Sequence, residues 1–202
     1  MTEGSAGPAL EARGISKSFG GISALGGVDF EVTRGEVHAL LGENGAGKTT
    51  LSNVLAGLYR ADAGEVLVDG SPREFRTPSQ AIAAGIGMVH QHFRLVEPMT
   101  VAENLHLGWE DTPKVCTRRT LTARAGRFMD EIGLHVDPTA YIWQLSVGEQ
   151  QRVEILRVLA RGARILILDE PTAHLDSQTE QQVQAAINHY AQHITKPTNP
   201  SN

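Results

Sequence analysis

The sequence predicts an α/β fold with a helical subdomain inserted into it. A strand-like run at residues 37–41 leads into a glycine-rich loop, and a helical pattern follows over residues 48–56. An isolated aliphatic run at residues 165–168 predicts a second, buried strand that ends in two acidic residues. Between these strands, residues 100–159 have helical periodicity and no strand signal, which predicts the inserted block.

Shorter signals predict the remaining elements in order. Strand patterns occur at residues 28–32, 64–70 and 86–90, and a helical pattern occurs at residues 79–84. Within the helical block, the periodic stretches are residues 101–107, 121–132 and 150–159.

Length and composition limit the class of protein. The chain has 202 residues, with 18 Lys and Arg against 23 Asp and Glu and a net charge of -5, enough for about one large domain. It has no basic arm, so we expect no nucleic-acid partner. The single Cys116 cannot form an intramolecular disulfide, which favours a reducing, cytoplasmic setting. No run approaches the ~18 apolar residues of a spanning helix, and the first residues lack the apolar core of a secretory signal.

Residues 42–49 read GENGAGKT and match the G-x-x-x-x-G-K-[ST] phosphate loop in full. The glycines let successive N–H groups point inward, and the following helix directs its positive end to the same place. Lys48 would reach the β- and γ-phosphates, and the Thr49 hydroxyl would hold Mg²⁺. The alternative is a glycine-rich turn with an incidental lysine. The residues expected to bind ATP here are Gly42, Glu43, Asn44, Gly45, Ala46, Gly47, Lys48, Thr49 and Thr50.

The acidic pair after the second predicted strand is the expected companion of this loop. Asp169 can organise Mg²⁺ and its waters, and Glu170 can orient or deprotonate an attacking water. The alternative is a core strand that ends in two solvated acids.

Two further segments give the chain a family resemblance. Residues 145–152 (LSVGEQQR) lie between the two sites, and residues 89–92 read VHQH. With these, residues 10–176 resemble the ATP-binding subunits of ABC transporters, most closely the bacterial sugar and nucleoside importer branch. Val147 stands where the common signature has a second glycine.

The resemblance implies a P-loop NTPase fold, a RecA-like core with an antiparallel β subdomain and an inserted helical subdomain at about residues 93–150. The domain would span residues 10–190, after a flexible lead-in at 1–9 and before an irregular tail at 191–202. The family's next strand and switch histidine have no counterpart in that tail, so part of the core is expected to be missing from this chain.

The resemblance also implies a site shared by two domains paired head to tail. The signature residues Ser146, Val147, Gly148 and Glu149 would face the ATP of the partner domain. Gln91 would contact Mg²⁺ or the water and act in catalysis with Glu170 and Lys48. Phe19 would stack on adenine, although simple packing is the alternative when the residue is considered alone.

The function implied is that of an importer subunit, peripheral on the cytoplasmic face of the membrane, that couples MgATP binding and hydrolysis to permease movement. The solute would be small, such as a sugar or nucleoside, and delivered by a substrate-binding lipoprotein. Two alternatives are a hydrolysis-deficient ATP-binding fragment or regulator, and a non-transport ABC ATPase of DNA repair or translation.

Other features are expected to be structural. His90, His92 and His174 have no third ligand at metal spacing and are interpreted as solvated or core residues. Trp109 and Trp143 are expected to pack in the helical block. A basic cluster is interpreted as a solvated helical face or a permease contact: Lys114, Arg118, Arg119, Arg124 and Arg127.

Overall fold

The computed structural model describes residues 7–90, 94–113 and 115–169. The chain divides into two compact units, Met1–Gly87 and Met88–Asn202. Each unit has buried apolar side chains of its own.

The first unit contains a four-stranded antiparallel sheet in the order β2-β1-β3-β4. Its strands are β1 (Leu10–Phe19), β2 (Ile22–Val32), β3 (Ala63–Val68) and β4 (Ser71–Arg73). The sheet confirms the antiparallel β subdomain that the resemblance implied.

The sequence patterns did not predict β1 or the first part of β2. Leu10 and Ala12 are buried while Arg13 is exposed, so a two-residue period is present at the start of β1. The alternation then breaks, because the pairing of β1 with β2 shifts register between Ala12 and Ile15. Because of this irregular register, β1 lacks the simple alternation of buried and exposed residues that predicts a strand.

The described part of the first unit also contains two helices. Helix α1 (Lys48–Leu55) buries Leu51 and Val54, and α2 (Pro78–Ala83) buries Ala81. Both agree with the helices predicted at residues 48–56 and 79–84.

The strand predicted at residues 37–41 is absent from the structure, which corrects that expectation. Val37 is 59% exposed and Leu41 is 89% exposed, although both are apolar. Backbone donors and acceptors of a strand need a neighbouring strand, and no strand of the described residues pairs with this segment. An apolar run alone therefore did not produce a strand here.

The described part of the second unit contains the α-helices α3 (Val101–His106), α4 (Arg118–Ile132) and α5 (Val147–Ala160). Leu105, Ile132 and Ile155 come from different helices and share one buried cluster. Helices α4 and α5 begin three residues before the predicted starts, because the side chains of Thr117 and Ser146 cap their first turns.

Strands β5 (Ile86–Val89) and β6 (Ile165–Leu168) form a two-stranded sheet. Both strands were predicted, but the residues of β6 are half-buried rather than buried. Leu166 and Leu168 pack against the helical cluster of the second unit. No helix among the described residues has the length and apolar character that a bilayer crossing requires.

Candidate nucleotide-binding site

The glycine-rich loop leads directly into α1. Gly42 to Ala46 are exposed, and Gly47 and Lys48 are half-buried at the start of the helix. Ala46 N–H donates to the Glu43 carbonyl at 3.1 Å, which closes a tight turn inside the loop. Gly47 occupies the N-cap position and has no side chain to cap the helix. This arrangement suits an anion as the partner of the helix start.

Gly47 is required both by conformation and by space. Its φ of 86° lies in the left-handed region, where the backbone of residues other than glycine is strained. A Cβ added to Gly47 would lie 2.7 Å from the Ala24 carbonyl oxygen and 2.8 Å from Leu25 Cδ2. Strand β2 therefore lies so close to the loop that only glycine can occupy position 47.

The Lys48 ammonium lies inside the loop. Its Nζ donates to the Gly42 carbonyl at 2.6 Å and to the Glu43 carbonyl at 2.9 Å. An ammonium has three N–H donors, and two of them are used here. The fixed positive charge and the glycine turn are what a bound phosphate chain requires, so the residues present fit the group.

The other predicted loop residues surround this charge. Thr49 is exposed and Thr50 is half-buried, both in the first turn of α1. Glu43 and Asn44 are exposed at the outer edge of the loop. A threonine hydroxyl is a chemically suitable Mg²⁺ ligand, and Thr49 lies in the first turn of the helix that follows the loop.

Phe19 lies in the same unit as the phosphate loop. The ring is 44% exposed at the end of β1. Its centroid lies 5.2 Å from that of Tyr59 at an interplanar angle of 71°, and the Lys17 ammonium lies 5.5 Å from the Phe19 centroid. Sequence reasoning missed Tyr59, whose only signal was an aromatic shortly after the helix of the loop.

Asp169 lies in the second unit, immediately after β6. Its N–H donates to the Val89 carbonyl of β5 at 3.1 Å, so the strand pair fixes the backbone that presents the carboxylate. Glu170 and Gln91, the other expected catalytic residues, lie outside the described residues.

The signature residues begin α5 in the second unit. Ser146 is the N-cap, and it forms a reciprocal capping box with Glu149. Hydrogen bonds from the hydroxyl and then from the N–H of Ser146 hold the pKa of the Glu149 carboxyl below its usual value. Val147 is 48% exposed and Gly148 is half-buried, and both lie in the first turn of α5 and not in a loop before it.

Two tryptophans, Trp109 and Trp143, were expected to pack in the helical block, and one of them does. Trp109 packs against His106 and Phe128, as expected, but Trp143 is 63% exposed. The expectation that Trp143 packs in the helical block was wrong, because Ile142 supplies the buried side chain of that turn and its neighbour faces outward.

The basic cluster is partly engaged within the second unit. Arg118 pairs with Glu103 at 3.1 Å, and Arg124 donates to the Asp111 carbonyl at 2.9 Å. Lys114 lies outside the described residues.

Burial lowers the pKa of His90, and the described part of the chain contains no group of three or more potential metal-ligating side chains.

An α/β chain whose glycine-rich loop holds a lysine at a helix start, beside an antiparallel sheet with an exposed aromatic, is a P-loop nucleotide-binding protein. Residues 25–173 match the family model described as ABC transporter. The chain belongs to that family.

Comparisons with individual proteins agree with this assignment. The chain is 49% identical over 177 residues to ribose import ATP-binding protein RbsA 1 of Rubrobacter xylanophilus, covering 87% of this chain and 36% of the relative. It is 46% identical over 172 residues to ribose import ATP-binding protein RbsA 2 of Escherichia coli O157:H7, covering 85% and 34%. The chain thus spans about a third of the length of these curated relatives.

Solved structures give the same fold. The ADP conformation of an ATP-binding cassette of an ABC transporter matches with a TM-score of 0.79 and 26% identity, over 93% of this chain and 78% of that one. A dimeric cassette bound to ADP and phosphate matches with a TM-score of 0.74 and 26% identity, over 92% and 84%. These matches confirm the P-loop NTPase fold.

Proposed function

We propose that this chain is the ATP-binding subunit, or a part of it, of an ABC importer that couples MgATP binding and hydrolysis to solute transport. The observation that carries the proposal is the Lys48 ammonium, held by two carbonyl oxygens inside a loop that only glycine at position 47 allows. The proposed importer class is supported by the ribose import proteins among its relatives. The solute proposed is a small sugar or nucleoside.

The residues of the first unit would bind the nucleotide. The loop N–H groups and Lys48 would hold the β- and γ-phosphates, because oriented donors and a fixed cation stabilise a phosphate chain. Phe19 would stack on the base. Mg²⁺, when bound, would neutralise charge that develops on the phosphate oxygens, and Thr49, Asp169 and Gln91 are the residues proposed to hold it.

Hydrolysis would require further residues of this chain and residues of a partner domain. Glu170 is proposed to orient or deprotonate the attacking water. Ser146 and Gly148 would present a hydroxyl, an N–H and the positive end of α5 to the γ-phosphate bound by a partner domain. The dimeric solved cassette supports this pairing. A membrane permease, and indirectly a substrate-binding lipoprotein, would be the other partners, with the subunit on the cytoplasmic membrane face.

The test compares ATP affinity and turnover in the unaltered chain and in three variants. Lys48→Ala should weaken ATP binding at least tenfold, because loss of one charge-assisted contact costs about 1.5–3 kcal/mol. Arg127→Ala removes an equal charge whose Nε donates only to a carbonyl of its own helix, and it should bind ATP normally. Unchanged binding in Lys48→Ala would refute the proposed site.

Glu170→Gln separates hydrolysis from binding alone. If Glu170 is the base, this variant should bind ATP and lose turnover. Equal turnover in both chains would remove Glu170 from the mechanism. Co-purification with a membrane permease would support transport, and association with ribosomes or DNA instead would contradict it.

A further inference from the structure

Tyr59 is attached to the helix that begins at the phosphate loop. After α1 ends at Leu55, the N–H groups of Leu58 and Tyr59 both donate to the Asn53 carbonyl, at 2.8 and 3.1 Å. These two bonds hold the segment against the last turn of α1. The position of the Tyr59 ring is therefore linked to the position of the phosphate loop through one short helix.

The Tyr59 ring in turn contacts Phe19. The two centroids are 5.2 Å apart and the planes meet at 71°, which is the edge-to-face geometry that aromatic pairs favour. Both side chains stay accessible, with exposures of 44% for Phe19 and 41% for Tyr59. The contact fixes Phe19 from one side and leaves ring surface open.

Asp62 forms a second link between the same two elements. Its carboxylate accepts from Ser18 N–H at 2.7 Å and from Lys17 Nζ at 2.7 Å, and its own N–H donates to the Ser16 carbonyl at 2.8 Å. The same Lys17 ammonium lies over the Phe19 ring. One carboxylate thus holds both the backbone that precedes Phe19 and the cation on the ring.

We propose that Tyr59 and Asp62 are positioning residues, which fix the Phe19 ring at a set distance from the phosphate loop so that the base and the phosphates of one nucleotide are bound together. The inference rests on the proposed function, in which a nucleoside triphosphate occupies the loop. Ordering the ring before binding reduces the entropy lost when the base stacks on it. Neither residue belongs to the phosphate loop, and both contact the segment that carries Phe19.

The test uses two probes, ATP and inorganic tripolyphosphate, which lacks a base. Phe19→Ala should weaken ATP binding about tenfold, since the base loses the aromatic ring on which it would stack. Tyr59→Ala and Asp62→Ala should each weaken ATP binding about threefold to tenfold. All three variants should bind tripolyphosphate as the unaltered chain does.

Three controls distinguish positioning from general damage. Tyr59→Phe keeps the ring and should bind ATP normally. Arg60→Ala changes an exposed neighbour that pairs with Glu74 and should also bind normally. In the Phe19→Ala background, Tyr59→Ala should cause no additional loss, because a residue that acts through Phe19 has no effect once that ring is gone.

The outcomes are separable. If Tyr59→Ala and Asp62→Ala bind ATP as tightly as the unaltered chain while Phe19→Ala does not, the inference fails and the proposed function stands. Equal weakening of ATP and tripolyphosphate would mean that the variants disturb the loop itself, which also overturns the inference. If the unaltered chain binds neither probe, the proposed function fails and the inference fails with it.

Discussion

The Ser146 hydroxyl donates a hydrogen bond to the Glu149 carboxylate at 2.7 Å. Ser146 N–H donates to the same oxygen at 2.9 Å, and Glu149 N–H donates back to the hydroxyl oxygen at 3.4 Å. A hydroxyl carries one proton, and here that proton is already used. If Ser146 is to donate to the γ-phosphate of a partner domain, its bond to Glu149 must first break.

The first prediction concerns the cap of α5. Ser146→Ala should lower the free energy of unfolding by about 1 kcal/mol, because the first turn of the helix loses its capping oxygen. Urea unfolding measures the change. Ser146→Thr keeps a hydroxyl and should lose much less, and an equal loss in the two variants would show that the cap is not the cause.

The second prediction concerns pH. Hydrogen bonds from Ser146 hold the folded-state pKa of Glu149 below its usual value, so the folded state releases the proton more readily than the unfolded chain. The contribution of the Glu149 carboxylate to the free energy of unfolding is fully present above the unfolded-state pKa of a glutamate, about 4.3. This contribution is lost as the pH falls through the lower folded-state pKa of Glu149. Glu149→Gln should therefore be less stable at pH 7, with the difference shrinking below about pH 4.

Urea unfolding of both chains between pH 3 and pH 7 makes the comparison. Gln retains a side-chain oxygen and can complete a capping box, so the helix itself should persist in the variant. A stability difference that is constant across this range would contradict the assigned role of the carboxylate.

The described site shows what sequence could and could not predict. The phosphate loop and the helix after Ser146 were predictable because their patterns are local: a run of small residues, one lysine or serine, and a helix directly after it. The exact start of α5 was not, since it lies three residues before the predicted one. The strand predicted at residues 37–41 was wrong, since strand formation depends on a neighbouring strand that apolar residues alone do not guarantee.

Long-range contacts were also beyond the sequence patterns. Tyr59 and Phe19 are forty residues apart in the chain and meet only because β1 and the segment after α1 are held together. The register shifts of β1 concealed its alternation for a similar reason, because they arise from pairing with β2. Pairing between distant segments sets features that no local period reveals.

The third prediction tests the glycine of the loop. Gly47→Ala places a Cβ 2.7 Å from the Ala24 carbonyl oxygen, so the loop must shift and ATP binding should fall at least tenfold. Gly45→Ala is the matched control, because Gly45 has a φ of 87° but no atom within 4 Å of an added Cβ. It should show only the strain of a positive φ, about 1 kcal/mol of stability.

Isothermal titration with ATP compares the two alanine variants at equal folded fraction. Equal losses of affinity would mean that backbone strain is the main cause and that the steric contact with β2 is unimportant. A larger loss in Gly47→Ala is the expected result.

The fourth prediction concerns a buried ion pair of α5. Glu154 is 3% exposed, and its carboxylate accepts from Arg157 at 2.9 Å and from Arg94 N–H at 2.6 Å. Arg157 also donates to the Arg94 carbonyl at 2.6 Å, so the ion pair binds both the N–H and the carbonyl of Arg94. Glu154→Ala should lower the free energy of unfolding by about 3–5 kcal/mol, because it leaves the guanidinium buried without its counter-charge.

Glu65→Ala is the control for this variant, since Glu65 makes an ion pair with Arg13 at 3.8 Å in which both side chains are about half exposed. Its loss should be below about 1 kcal/mol. Amide hydrogen exchange provides a local readout: Glu154→Ala should speed exchange at Arg94 N–H, which loses its acceptor, more than at Leu105 N–H inside α3. Unchanged exchange at Arg94, or a stability loss no larger than that of Glu65→Ala, would show that the pair does not hold this backbone.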